Sequence, residues 1–200
     1  MGHRDTLTQI FHHAVEQSSA AVTLPPFLNA IRESGAPKGR TLVLGCGKAA
    51  AAMAETVAAV LPDPVTGCVV TRYGHGARGP TGGIEVLEAG HPTPDEASLL
   101  AGRRIREWAS SARADDRVIF LISGGGSALM CDPIDGLSLT EKAQITRHLV
   151  QSGASIGEIN LVRRHLSKVK GGGLATAARA CGDMHSFLIS DVAGDDPAAI

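Results

Sequence analysis

The segment VLGCGKAAAAM, residues 43–53, decides the fold class. An apolar run of strand type leads into a glycine-rich turn, and an alanine-rich, helix-forming stretch follows that turn. Strand–turn–helix units of this kind are typical of α/β sheets, and the free N–H groups at the start of the helix can hold an anion. Lys48 would lie at that start, where a cation opposes the helix dipole unless an anion lies between them. The segment therefore predicts a turn suited to a phosphate.

The rest of the chain repeats this alternation of strand and helix. Apolar runs of strand type occur at residues 41–45, 67–71, 84–89, 117–123 and 184–190. Strands that alternate with helices of about ten or more residues predict a doubly wound, mostly parallel α/β sheet with helices on both faces, a Rossmann-like three-layer arrangement. We expect residues 1–200 to form one N-terminal α/β domain. Because little follows the last strand to pack against it, we expect this domain to belong to a longer protein.

Several sequence patterns also predict where helices begin. Apolar residues at helical spacing from Leu7 to Val15 predict an amphipathic helix near the N-terminus. Capping boxes, in which a polar N-cap residue and a residue three positions later satisfy each other's backbone N–H groups, predict further helix starts. We expect these boxes at three places: Thr93 with Glu96, Ser138 with Glu141, and Ser155 with Glu158.

Composition narrows the classes of function. The formal net charge is −1, so no overall charge attracts nucleic acid or an anionic membrane surface. No apolar run approaches the ~18 residues of a membrane span. The four cysteines are far apart and form no C-x-x-C pair, which argues against a disulfide framework or a zinc site. We expect a cytoplasmic protein with a small-molecule ligand.

The first glycine-rich turn leaves alternatives open. The pattern Gly45-x-Gly47-x-x-Ala50 satisfies the dinucleotide fingerprint, which also needs an acidic residue about 20 positions further on. The next strand ends in Arg72 instead, which would suit the 2′-phosphate of NADP. The P-loop of nucleoside triphosphatases needs serine or threonine after its lysine, where this chain has Ala49. A purely structural turn with the lysine in solvent is the remaining interpretation.

A second glycine-rich loop follows the most apolar predicted strand. Ser123, Gly124, Gly125, Gly126 and Ser127 combine free backbone N–H groups with two hydroxyls, and such a segment can form an anion-binding nest. A serine nucleophile elbow would require a further glycine two residues after the serine, which is missing. We interpret this loop as a phosphate cradle, with a tight architectural turn as the alternative.

Acidic and basic residues cluster after the second loop. Asp191 and Asp195 follow the last predicted strand, where carboxylates near a phosphate site hold Mg²⁺, or else form an acidic surface turn. Arg163, Arg164 and Lys168 lie near a predicted helix C-terminus. The helix dipole alone favours cations there, but they could also meet a phosphate or a carboxylate. His91, in the loop GHPTPD, is either a catalytic base or an ordinary loop histidine.

Six segments together resemble one known family. In order along the chain, they are VLGCGKAAAAM, GHPTPDEAS, SGGGSALM, GLSLTEK, SGASIGEINLVRRHLSKVKGGGLA and SDVAGDD. The family that they resemble is the glycerate 2-kinases of the MOFRL type. The resemblance runs from about Leu7 to Ile200, and its longest segment is highly specific. Some members of that family carry the name hydroxypyruvate reductase.

The resemblance implies phosphorylation of D-glycerate to 2-phosphoglycerate by ATP and Mg²⁺ in a two-domain cytosolic protein. By motif match, Lys48 takes the place of the family's active-site lysine, and residues 123–127 that of its glycine-rich phosphate loop. We expect Asp191, aided by Asp195, to place Mg²⁺.

We expect glycerate to meet Arg163, Arg164 or Lys168. The family's C-terminal domain is not in this chain, so the chain alone would lack active-site residues. An NADP-dependent hydroxypyruvate reductase and an inactive nucleotide-binding fragment are the alternatives.

Overall fold

The computed structural model describes residues 2–190, 192 and 194. Its five strands are β1 (Thr41–Cys46), β2 (Val65–Arg72), β3 (Gly83–Ala89), β4 (Arg117–Ser123) and β5 (Asp183–Ile189). The helices of this described part are α1 (His3–Gln17), α2 (Ala20–Thr23), α3 (Pro25–Glu33), α4 (Ala50–Val60), α5 (Glu96–Ser110), α6 (Gly126–Leu129), α7 (Leu139–Gln151), α8 (Ile156–His165) and α9 (Gly173–Ala177). No helix in these ranges is long and apolar enough to cross a membrane.

The strands form one parallel sheet in the order β3-β2-β1-β4-β5. This confirms the predicted α/β sheet, and each strand lies within a residue or two of its predicted run. The chain first builds outward from β1 to β3 and then returns to place β4 on the other side of β1. The order therefore reverses between β1 and β4, and ligands of such sheets bind at the carboxyl ends of the strands that flank this point.

Helices cover both faces of the sheet and bury two cores. Side chains alternate along β1, so Leu42 and Leu44 enter the core beneath α5 and α9, whereas Val43 enters the core beneath α2, α3 and α4. All six residues of β1 are buried because it lies in the middle of the sheet. The predicted three-layer arrangement is confirmed.

Two of the three predicted capping boxes are present and one is wrong. Ser138 and Ser155 begin α7 and α8 as predicted, each paired with a glutamate three residues later. The box predicted at Thr93 does not form; Asp95 is the N-cap of α5, and its carboxylate accepts the backbone N–H of Ser98. A charged acceptor two positions later has replaced the threonine hydroxyl as the cap.

The predicted amphipathic helix at the N-terminus is present as α1, but its apolar face is not covered. The side chains of Leu7 and Phe11 are 67% and 64% exposed, and α1 has no buried residue. Within the described residues, this helix adds nothing to either core.

Helix α5 approaches the segment after α6 very closely. A β-carbon built on Gly102 would lie 2.3 Å from the carbonyl oxygen of Cys131. The peptide N–H of Cys131 also donates to the carbonyl of Ser98 at 3.0 Å, an ordinary hydrogen-bond distance. The absence of a side chain at Gly102 is therefore what lets α5 hold this segment.

We predict opposite effects of one substitution at two helical glycines. Alanine is normally about 1 kcal/mol better than glycine in a helix. Gly102→Ala should nevertheless lower the free energy of unfolding by about 1–3 kcal/mol, because the new methyl group is forced against backbone. Gly157→Ala in α8, where the nearest atom would be 4.0 Å away, should be neutral or stabilising by up to about 1 kcal/mol. Urea unfolding followed by circular dichroism measures both.

Equal stabilisation by the two substitutions would contradict the close contact between α5 and Cys131.

Candidate functional site

The two predicted glycine-rich loops meet at the point where the strand order reverses. The backbone N–H of Lys48, after β1, donates to the carbonyl of Gly124, after β4, at 2.9 Å. The next N–H along, that of Ala49, donates to Ser123 Oγ at 3.0 Å. These two bonds join the loops directly, so Lys48 and residues 123–127 belong to one site.

The close fit of the loops depends on Gly47. Its φ is +128°, and a β-carbon there would lie 2.2 Å from Ser123 Oγ. Gly45 lies inside β1, where a β-carbon would lie 2.2 Å from the carbonyl oxygen of Leu121. Both glycines of the G-x-G pattern are therefore required for packing β1 and its loop against β4.

The free backbone donors are in the second loop, not the first. The N–H groups of Gly47, Lys48 and Ala49 all donate to protein acceptors. Those of Gly125, Gly126 and Ser127 have no acceptor among the described residues. A dinucleotide fingerprint presents the N–H groups of its first loop to a pyrophosphate. Here the predicted ligand-binding role of Gly45 and Gly47 has no free donor to support it, whereas the predicted cradle at residues 124–127 does.

Lys48 and His91 both approach Gly125 on the side where a β-carbon would lie. A β-carbon built on Gly125 would lie 2.9 Å from His91 Nε2 and 3.2 Å from Lys48 Cε. Gly125 has a φ of +87°, a backbone conformation that other residues rarely adopt. The lysine is exposed and the histidine is half-buried. A flexible cation and an imidazole therefore border the free N–H groups of the cradle.

The loop that carries His91 is fixed by Asp95. The Asp95 carboxylate accepts hydrogen bonds from the N–H of Gly90, from the Tyr73 hydroxyl at 2.8 Å, and from the N–H and hydroxyl of Ser98. Burial raises the pKa of this carboxyl, but the hydrogen bonds outweigh that effect and lower the pKa to about 2. The aspartate is thus ionised, and it anchors the loop to the start of α5.

The pKa of His91 lies below its ordinary value. Partial burial disfavours the charged imidazolium, and the nearby positive charges of Lys48 and Arg72 act in the same direction. Because the ordinary pKa of histidine is about 6.5, the imidazole is mostly neutral at neutral pH. One of its ring nitrogens is then available as a proton or hydrogen-bond acceptor.

The three predicted substrate-binding cations differ in their surroundings. Arg163 Nη2 donates to Ser127 Oγ at 2.7 Å, which brings Arg163 to the cradle. Arg164, on the same helix, is half-buried. Lys168 forms an ion pair with Asp135 at 2.5 Å, beside a cleft of about 390 Å³ that Arg106 and Asp132 also line. Its charge is therefore already balanced by a carboxylate.

Two lysines near the cradle were not predicted as site residues. Lys170 is half-buried, and Cys46, Cys131, Lys142 and Arg163 lie close enough to affect its titration. Burial is the largest cause of its lowered pKa, which is about 8, and the like charges of Lys142 and Arg163 add to the effect.

Lys142 is almost fully buried, and its Nζ donates to Cys131 Sγ at 2.9 Å. Neither lysine makes an ion pair with any residue that the structure describes. Cys46 does not neutralise them either, because burial raises the pKa of its thiol to about 11. We call Lys142, Arg163 and Lys170 the cationic cluster. In the sequence, Lys170 stands out only because it follows the basic residues Arg163, Arg164 and Lys168 and precedes the glycines at 171–173. No sequence pattern indicates Lys142.

The predicted metal ligands Asp191 and Asp195 lie outside the described residues. Among residues 2–190, 192 and 194, no three histidine, cysteine, aspartate or glutamate side chains come together as a metal site. The chemistry of the described site is therefore that of an anion-binding site: backbone N–H groups, cations and one imidazole.

Known proteins are similar to this chain in sequence and in fold. A provisionally named hydroxypyruvate reductase of Agrobacterium vitis is 46% identical over 98% of the chain. The D-glycerate 2-kinase of Thermotoga maritima is 45% identical over 78% of it. The crystal structure of glycerate kinase from Thermotoga maritima superposes on 98% of the chain with a TM-score of 0.82 at 38% identity.

The chain spans less than half of each of these relatives: 43% of the Agrobacterium protein, 37% of the Thermotoga kinase sequence and 47% of the Thermotoga crystal structure. A family model described as "Domain of unknown function (DUF4147)" matches residues 6–200. Because that match covers nearly the whole chain, the chain belongs to the DUF4147 family.

Proposed function

We propose that this chain provides the phosphate-binding half of a glycerate 2-kinase, which transfers the γ-phosphoryl group of ATP to D-glycerate and yields 2-phosphoglycerate. The observation that carries the proposal is a cradle of unpaired N–H groups beside Lys48 and a cationic cluster that no described carboxylate balances. The relatives named as glycerate kinases support the choice of substrate. In this proposal residues 1–200 are the N-terminal α/β domain, and the protein is cytoplasmic.

Phosphoryl transfer suits these groups because it requires mainly positioning and neutralisation of charge. The N–H groups of Gly125, Gly126 and Ser127 would hold phosphate oxygens, as oriented backbone donors do in other nests. Lys48 is on a flexible stem beside them and would follow the phosphoryl group as its charge shifts to the leaving group. The cationic cluster would hold the remaining negative charge of the triphosphate.

The remaining predicted site residues would bind glycerate and Mg²⁺. Arg163, in contact with Ser127, and Arg164 are our candidates for the carboxylate of glycerate. Lys168 is a weaker candidate for this role because its ammonium group already forms an ion pair with Asp135. Mg²⁺ bound with ATP would supply further charge neutralisation, and Asp191 and Asp195 stay its predicted ligands.

A reductase is the second candidate function, because one relative carries that name. Arg72 is exposed at the end of β2, as the 2′-phosphate of NADP would require. Against this, the first loop has none of its own N–H groups free for the pyrophosphate.

A coupled assay on the intact natural protein separates these functions. We expect ADP release with D-glycerate and ATP, and no oxidation of NADPH with hydroxypyruvate. NADPH oxidation without ADP release would support the reductase instead. ATP binding without either reaction would indicate a nucleotide-binding protein that does not catalyse the transfer.

Lys48→Met in the same protein should lower kcat by about 10²–10³-fold, the usual effect of removing one group that stabilises transition-state charge. The methionine keeps an unbranched stem of similar length and removes the ammonium group. Lys38→Met is the matched control, since Lys38 is also exposed but precedes β1 at the opposite end of the sheet. Normal turnover of Lys48→Met would remove this lysine from the mechanism.

The affinity for ATP should depend on the charge of Lys170. Its pKa of about 8 means that the free protein loses this charge as the pH rises through that value. We therefore expect the affinity to be highest below about pH 8 and to fall above it. Lys170→Met should bind ATP about tenfold or more weakly and should lose this pH dependence. Calorimetric titration at several pH values measures both.

An unchanged affinity and an unchanged pH dependence in Lys170→Met would show that the phosphates do not reach the cationic cluster.

A further inference from the structure

We propose that His91 is the catalytic base that takes the proton from the acceptor hydroxyl, an inference that rests on the proposed kinase function. The geometry points to this role because His91 Nε2 and the end of the Lys48 side chain both contact the same small region around Gly125.

The position of Gly125 defines where the reacting groups would meet. A phosphoryl group held by the N–H groups of Gly125 and Gly126 would lie close to both Lys48 and His91, since Lys48 Cε and His91 Nε2 approach the same point beside Gly125, at 3.2 Å and 2.9 Å. An alcohol that attacks this phosphoryl group must approach from a side that the cradle leaves open. His91 Nε2 borders the cradle and is the ring nitrogen that faces Gly125.

The charge state of His91 fits a base. Lys48 and Arg72 are the charged side chains that act on it in the described part of the chain, and the glycines of the cradle contribute none. Both are positive, and together with partial burial they hold the pKa of His91 below its ordinary value. The imidazole is therefore neutral where the reaction would run, and it can accept a proton without first losing one.

The carboxylates near His91 are poorly suited to the same task. Asp95 is the carboxylate in its own loop, and its hydrogen bonds with Gly90, Tyr73 and Ser98 hold its pKa at about 2. Glu88, on β3, accepts the backbone N–H groups of Gly74 and Gly76. Both side chains are committed to holding loops, whereas His91 Nε2 is directed at the cradle.

The O–H bond of the hydroxyl on carbon 2 of glycerate breaks, and its proton passes to His91 Nε2. The oxygen's electron pair forms a bond to the γ-phosphorus of ATP. The bond between that phosphorus and the β,γ-bridging oxygen breaks, and its electrons leave with ADP. Because His91 is only half-buried, the proton can then pass to solvent.

The test uses His91→Ala and the more conservative His91→Asn in the intact protein, with ADP release as the readout. Loss of a general base should lower kcat about 10²–10⁴-fold. In the wild type, kcat/KM should fall on the acidic side as His91 becomes protonated, with an apparent pKa below about 6.5. Both variants should lose this acidic fall, and added imidazole should restore part of the activity of His91→Ala.

His75→Ala is the matched control, because His75 is an exposed histidine in the connection between β2 and β3. It should keep both the wild-type rate and the wild-type pH profile. ATP binding by each variant shows that the cradle has formed. His91→Asn keeps a polar side chain of similar size in case the alanine variant does not fold.

The possible results distinguish a failure of the proposed kinase function from a failure of the role proposed for His91. A wild-type protein that releases no ADP with D-glycerate overturns the proposed function and this inference with it. An active wild type together with variants that keep their kcat and their acidic fall overturns the inference alone. A variant that only raises the KM for glycerate, without rescue by imidazole, makes His91 a binding residue and also overturns it.

Discussion

The contact between the loops after β1 and β4 is the constraint on which the rest of the site depends. Two backbone N–H groups of the first loop donate to Gly124 and Ser123 of the second. The first loop thereby loses its own capacity to bind an anion, and the second is held open with its donors unpaired. The G-x-G pattern, which usually indicates a nucleotide-binding loop, here holds the second glycine-rich loop in place.

This arrangement explains how the fold brings distant segments to one place. The reversal of strand order sets β1 beside β4, and the anchored loop before α5 brings His91 from a third strand end. Helix α8 then adds Arg163 through its contact with Ser127. Each contributing segment follows a strand or ends a helix, so none of these groups is forced into a core to reach the others.

Much of the fold was predictable from local patterns. Apolar runs identified all five strands, and capping boxes identified the starts of α7 and α8, because those features depend on residues close in sequence. The cap of α5 was wrong because Thr93 and Asp95 are both good caps, and only the position of the preceding loop decides between them. The exposure of the apolar face of α1 could not be predicted either, because an amphipathic pattern does not indicate whether another element packs against the helix.

The site was predictable only in part, for a related reason. Lys48 and the second loop could be found because glycine clusters report on backbone geometry. The pairing of Lys168 with Asp135 and the isolation of Lys170 depend on burial and on partners far away in the chain.

The isolation of Lys170 has a cost for the protein as a whole. A half-buried ammonium that has no carboxylate partner among the described residues, close to Lys142 and Arg163, makes the ligand-free state less stable than the fold alone would allow. Selection for stability by itself would replace such a residue. While Lys170 is charged, the ligand-free protein therefore carries a repulsion between like charges that a bound anion relieves, so occupancy and resistance to unfolding rise together.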